Sequence, residues 1–241
     1  MKKIATIFVI IIALGSFKAQ TWVDLGIKGG IGANFLMNQN IWGDVNYNHA
    51  FTSCYTFGGK LGFNFNQEHE ITFDAMVGNF KQKFNYNILD SISETTENYT
   101  SEIGFNRLDL SVMYRHNKNG SYIEFGPCIA LLNTPYRLDS RTTKSEFNEV
   151  DINLRNKGLV LGFGNYVMGT ESFGITAGLR ITQYFDDLIS TQGQLKNLPT
   201  LTKYDSYKGS KPLFIEFILE ANFDFAYVAK AKCGRRKLMF F

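Results

Sequence analysis

Proline is scarce, with four residues in 241. So few ladder-breaking residues leave room for long, uninterrupted strands. Cysteine is scarcer still: Cys54, Cys128 and Cys233 form an odd, widely spaced set, which is no disulfide framework. Cys54 and Cys128 fall inside predicted strands and read as small wall residues. Charge is nearly balanced at +3, giving no case for nucleic acid as a partner. No Cys/His spacing suggests zinc, so no metal ligands are assigned. Gly29-Gly30-Ile31-Gly32 has no helix after it and is no phosphate loop, and no cofactor site is expected. Past the N-terminus, no apolar run is long enough for a transmembrane helix.

What is present starts with a leader. Lys2 and Lys3 precede an apolar run over residues 4–14, too short for the roughly 20 residues of a spanning helix. Residues 1–19 therefore read as a cleaved signal peptide ending at Ala19-Gln20. No Cys stands near the cut, which argues against a lipoprotein.

From Val23 onward the chain alternates. One row reads Val23, Leu25, Ile27, Gly29, Ile31, Ala33, Phe35; the other reads Asp24, Gly26, Lys28, Gly30, Gly32, Asn34. A period of two marks a strand, because successive side chains leave opposite faces. The rhythm returns in eight segments, at about 22–36, 53–66, 70–87, a fourth ending near 116, 121–132, 152–168, 172–185 and 211–227. The phase blurs after Asn79. Ile103 and Phe105 oppose the parity of Leu108 and Leu110, which suggests a bulge near Asn106-Arg107. Short Asn/Gly turns lie at 66–69, 117–120 and 169–171, where hairpins need positive φ. Longer polar connections cover 37–52, 88–98, 133–151 and 186–210.

Short turns at one end and long loops at the other suit an eight-stranded antiparallel up-and-down transmembrane β-barrel, an all-β fold, spanning residues 20–227. A soluble barrel would bury the apolar row instead. Three features oppose that arrangement. Glycine crowds the polar row, as at Gly26, Gly58, Gly62 and Gly162, where a narrow lumen needs room. Aromatics collect near the strand ends of the apolar row: Phe63, Phe65, Tyr114, Phe125, Phe173, Phe225 and Tyr227 near the short turns, and Phe35, Tyr55 and Phe57 at the other end. No C-terminal helix pattern exists to pack on a soluble barrel. The lipid bilayer is the expected partner, the cell outer membrane the expected location, and the short turns face the periplasm. Residues 228–241 carry Lys230, Lys232, Arg235, Arg236 and Lys237 and read as a basic, disordered periplasmic tail.

The charges of the polar row then face the lumen. Lys28, Arg180 and Glu220 are expected to meet at mid-depth, and Lys60 to pair with Asp74. Asp109, Arg115, Glu124, Glu216 and Asp224 extend the network. An internal salt-bridge plug explains such a set better than an ion path, because eight strands enclose an interior that side chains nearly fill.

Arg107-Leu108-Asp109-Leu110-Ser111-Val112-Met113-Tyr114, then Gly126-Pro127, then Gly158-Leu159-Val160-Leu161-Gly162-Phe163-Gly164 with Tyr166 and Leu179-Arg180 resemble strands of the PorT-like outer-membrane β-barrel family of Bacteroidota. Ser111 stands where that family's phrase has proline. The resemblance implies an eight-stranded outer-membrane barrel and no shared enzymatic activity; a few relatives assist protein secretion. Of the three histidines, His49 lies in a long loop near Asp44, where some barrels carry a His-based hydrolase or acyltransferase site. His69 and His116 fall at short turns. No catalytic residue is assigned, and the chain reads as non-enzymatic. Its expected role is structural, surface-interacting or accessory to other envelope proteins, secretion included. A narrow pore or small-solute carrier, and a lipid-modifying or proteolytic rim enzyme, are the alternatives.

Overall fold

The computed structural model describes residues 21–42, 47–65, 68–89, 96–140, 142–145, 149–170, 172–195, 206–230 and 236–240. The expected signal segment, Asp44 and Cys233 lie outside the described residues. The strands are β1 (Thr21–Met37), β2 (Tyr47–Ala50), β3 (Ser53–Phe65), β4 (His69–Leu89), β5 (Thr96–Lys118), β6 (Ser121–Asp139), β7 (Thr142–Ser145), β8 (Arg155–Gly169), β9 (Phe173–Tyr184), β10 (Lys211–Lys230) and β11 (Arg236–Phe240). Short helical turns at Gln39–Trp42, Glu149–Asp151 and Thr191–Leu195 interrupt the connections.

Eight of these strands form a ring in the order β1-β3-β4-β5-β6-β8-β9-β10, and β10 pairs back onto β1. Every pairing in the ring is antiparallel between consecutive ring members. Closure pairs both edges of each ring strand, which a chain in hydrocarbon must do because lipid offers no hydrogen bonds. Each of the eight alternating segments supplies one ring strand.

The register fixes the barrel's shape. From Phe57, one direction runs through Val77, Leu108 and Leu131 to Arg155 on β8. The other runs through Gly29, Leu219 and Ala177 to Asn165 on the same strand. The offset, 165 minus 155, is a shear of 10 residues. With ~3.3 Å per residue and ~4.8 Å between strands, that shear tilts the strands by roughly 41°. The 21 residues of β4 then reach about 50 Å along the barrel axis, well beyond the ~30 Å of a bilayer's hydrocarbon. Part of the wall therefore stands outside the membrane.

The turns follow their sequence. Asn119 (φ 52°) and Gly120 (φ 80°) join Lys118 to Ser121 in a two-residue hairpin. Positive φ at both central positions is the primed turn whose twist matches the flanking strands.

Three sequence expectations change. The phase of β4 does not blur: every even-numbered residue from Glu70 to Tyr86 is buried. No bulge reverses the face of β5, since Ile103 and Phe105 point inward with Arg107 and are fully buried. The irregularity falls instead in the β5–β6 pair, where Gly104 faces Tyr136 and Asn106 faces Asn133, so the extra residue lies in β6. Thr134 there has a φ of 45°. Finally, the long connections are partly strand. β4 and β5 remain paired out to Leu89 and Thr96, and β2 adds to β4. At the other end β10 continues to Lys230, and Arg236–Phe240 of the basic tail pairs with it as β11.

Candidate functional site

The interior has two storeys. The lower one lies behind the apolar outer band and is ionic. Seven carboxylates (Asp24, Glu70, Asp74, Asp109, Glu124, Glu216, Glu220) and five cations (Lys28, Lys60, Arg107, Arg115, Arg180) are buried within the ring. Alternation aims them there, because all sit on the inward parity of their strands.

Glu220 on β10 is the hub. Its carboxylate accepts from Arg115 at 2.7 Å on both oxygens and from Lys60 at 2.9 Å, and Lys28 lies at 3.1 Å. Asp74 accepts from Lys28 at 2.7 Å and from Arg180 at 2.6 Å. Glu124 accepts from Arg115 at 2.7 Å, with Arg180 at 3.8 Å. Lys60 lies 2.5 Å from Glu70 and 3.4 Å from Asp24. Lys28, Arg180 and Glu220 thus share one cluster, joined through Asp74. The expected Lys60–Asp74 pair does not form. Their backbones are direct register partners, but Lys60 turns to Glu70, Asp24 and Glu220 while Lys28 and Arg180 hold Asp74. Facing Cα positions do not dictate partners when long side chains can cross a narrow lumen.

Amides and a phenol add further donors to the carboxylates. Asn64 donates to Asp24 at 2.8 Å, Asn222 to Glu220 at 2.6 Å, and the Tyr184 hydroxyl to Asp109. Asp224 sits half-buried at the lower rim, where β1 shifts register between Val23 and Asp24. Strand β8 contributes glycine rather than charge. A Cβ on Gly162 would stand 2.7 Å from the Glu124 side chain, so glycine makes the space Glu124 occupies.

Arg107 closes the top of this storey. Its guanidinium donates to Asp109 and, at 2.6 Å, to Glu216, and lies 3.6 Å over the Phe214 ring. Above it the filling changes to an apolar core of Leu36, Ile41, Tyr47, Phe80, Phe84, Tyr86, Ile103, Phe105, Leu132, Ile152, Leu188, Ile189 and Phe214. Phe80 stacks on Phe105 with centroids 4.5 Å apart and meets Phe214 edge-on at 5.7 Å. The fully buried Gln82 satisfies its polar groups: it accepts from Leu36 N at 3.0 Å and donates to the carbonyls of Ala50 and Lys83. Asp187 ties down the last loop, accepting from Ile189 N, Ser210 N and the Tyr207 hydroxyl.

The outside changes polarity at the same level. Below it the wall shows Phe73, Val77, Leu110, Val112, Ile129, Leu159, Leu161, Ile215, Phe217 and Leu219 as exposed apolar side chains. Aromatic pairs mark its lower edge, Phe63 with Phe73, Tyr114 with Phe125 and Phe173 with Phe223. Above it the outward residues include Lys81, Lys83, Asn106, Asn133, Lys157 and Lys211, with the exposed aromatics Phe51 and Phe185 among them. Apolar outside with charge inside gives way to polar outside with an apolar core. The first arrangement suits lipid and the second suits water.

Arg107, Asp24 and Glu70 join the network although sequence reading did not place them in it. Their parity with Arg115, Lys28 and Asp74 was the available signal. His49 lies on β2 in the upper storey. Its Nε2 stands 3.1 Å from the Leu36 carbonyl oxygen and its ring meets Phe84 and Trp42 edge-on. Burial lowers its pKa from the ordinary 6.5, and the Leu36 carbonyl partly opposes that shift. His69 and His116 face each other across β4 and β5 near the lower rim, and His69 Nδ1 lies 2.7 Å from the Tyr114 hydroxyl. Cys54 and Cys128 are free thiols facing inward, and Cys54 lies 3.7 Å from Glu216.

A closed antiparallel ring of eight, apolar outside and ionic inside, is a transmembrane β-barrel. No protein-family model and no curated protein matches the chain. Among solved structures it is similar to Neisserial surface protein A, with a TM-score of 0.41 and 9% identity over 83% of this chain and 97% of that one. It is also similar to OprG of Pseudomonas aeruginosa (TM-score 0.38, 9% identity, 86% and 97% covered). A third is Ail of Yersinia pestis, solved with sucrose octasulfate (TM-score 0.37, 10% identity, 87% and 100% covered). The assignment of class rests on this chain's own register and burial.

Proposed function

We propose that the protein is an integral outer-membrane β-barrel of the PorT-like kind, plugged rather than open. In this reading it presents an ordered, β-rich head at the cell surface as a non-enzymatic platform for surface or envelope contacts, secretion complexes among them. Residues 1–19 act as the cleaved signal, and the short turns face the periplasm. One observation carries the reading: the interior is filled twice, by the ion-paired storey and by the apolar core above it. In this reading the lumen network fixes strand register rather than passing ions. Each buried charge is held by partners from other strands, and such a set tolerates no one-residue slip. The contacts of His49 fit a packing role in the head. Planar-bilayer recording of the folded barrel tests the proposal. The expected result is no stepwise conductance; steady conductance steps that change on Arg107→Ala would establish the pore reading instead.

A further inference from the structure

The outward face of β8, β9 and β10 carries charges that neither storey uses. Arg155 and Lys157 on β8, Phe185 just past β9, and Lys211 at the start of β10 are all exposed. Phe185 N donates to the Lys157 carbonyl at 2.8 Å, which sets the two residues side by side. Lys211 stands two residues above Leu213, the register partner of Gln183, and so flanks Phe185 on its other side. Two strand spacings put the lysine backbones ~10 Å apart.

This ledge stands on the upper edge of the apolar band. Leu159 and Leu161 lie directly below on β8 and Leu213 and Ile215 on β10; on β9 Ile181 lies beneath the half-buried Gln183, whose amide donates to the carbonyls of Tyr184 and Pro212. Among the described residues, none of Arg155, Lys157 and Lys211 has an ion-pair partner. Two acids border the ledge, each tied to backbone groups, and Oδ2 of Asp187 and the Lys211 side chain both come within 4 Å of the point where a Cβ on Gly209 would stand. Asp186 accepts from the Lys157 backbone N at 2.8 Å, and Asp187 Oδ1 takes Ile189 N, Ser210 N and the Tyr207 hydroxyl. On the β4–β5 wall Lys83 pairs with Glu102 at 3.4 Å, so among the described residues only Lys81 of its two upper lysines lacks an ion-pair partner.

We propose that this ledge binds the phosphate-bearing headgroup of an anionic outer-leaflet lipid, with the acyl chains along the apolar strip beneath. The site rests on the reading of the barrel as outer-membrane with its long loops outward. A ligand that is apolar at one end and multiply anionic at the other complements both halves of the surface, and cations beside a lipid surface attract anionic headgroups.

The test folds the mature barrel into phosphatidylcholine vesicles, with or without bis-phosphorylated lipid A. It then extracts the barrel in mild detergent and measures retained lipid by native mass spectrometry. Wild type is expected to retain lipid A, and to retain the dephosphorylated form poorly. Lys157→Gln/Lys211→Gln should cut retention about tenfold, whereas Lys81→Gln/Lys83→Gln on the other wall should leave it unchanged. Equal retention by wild type and the ledge variant overturns the site, as does equal loss in both variants. Displacement by millimolar inorganic phosphate would also overturn it, because the ledge would then be a free-phosphate site. Heat-modifiable gel mobility and flotation with vesicles are scored in parallel. A barrel that neither folds nor floats refutes the membrane reading itself, while one that does both and ignores lipid A refutes only the ledge.

Discussion

Asp74 and Phe84 stand on the same strand and the same inward parity, 3% and 0% exposed, in opposite surroundings. Asp74 is locked between Lys28 and Arg180; Phe84 packs in an apolar core. On the outward parity of the same strand, Phe73 and Val77 give way to Lys81 and Lys83. One strand obeys two solvents. In hydrocarbon an outward apolar side chain costs nothing and a polar one must find partners inside. In water the same geometry rewards the reverse. The lower storey therefore owes its cohesion to charge pairing and backbone closure, and the upper storey to apolar burial. The sharpest way to break this contrast is to remove the hub of the lower storey. Glu220→Ala leaves Arg115, Lys60 and Lys28 short of a counter-charge and should cost about 3–5 kcal/mol. Urea unfolding in vesicles, followed by gel mobility, measures it. A loss below about 1 kcal/mol would mean water, not Glu220, balances those cations.

The upper storey should fail differently. Phe80→Ala removes the ring that touches both Phe105 and Phe214, and a buried phenylalanine truncation costs about 3–5 kcal/mol. Because Phe80 lies above the ionic network, the head should become protease-sensitive while the barrel keeps its folded gel mobility. Simultaneous loss of both would show that the storeys form one cooperative unit. A third variant probes the outer wall. Ala75→Arg puts a cation on the lipid face between Phe73 and Val77 and should cost about 2–4 kcal/mol of folding stability in vesicles. Lys81→Ala, six residues higher on the same parity, should change it little.

The eight ring strands were legible because their alternation is clean wherever lipid and lumen oppose each other. The upper storey was hidden because its alternation is equally clean with the faces exchanged. Phe80, Phe84 and Tyr86 continue the parity of Asp74, and a reader following the apolar row finds it switching sides. Ile103 and Phe105 mislead in the same way and suggest a bulge in β5, although β4 and β5 pair without a break. Arg107 vanished from the expected network for that reason alone. Network membership follows from parity, whereas pairing does not. Lys28 reaches Asp74 two strands away, with β3 between them, and strand register cannot reveal that choice.

The smallest effect lies at His49, and it separates the storeys by pH. Burial favours the neutral ring, so its folded pKa lies below the ordinary 6.5. In the window just below 6.5 the unfolded chain binds a proton that the folded head does not. By linkage, the head loses stability as pH falls through that window and keeps its full stability above it. The cause is local: the ring is held against Phe84 and Trp42, and Nε2 faces the Leu36 carbonyl. Limited proteolysis of the vesicle-bound barrel from pH 7.5 down to 5 should show the head loosening while gel mobility holds. His49→Gln keeps a donor for Leu36 and removes the titration, so its profile should be flatter. If wild type and His49→Gln loosen identically, the pH response of the head belongs to other groups.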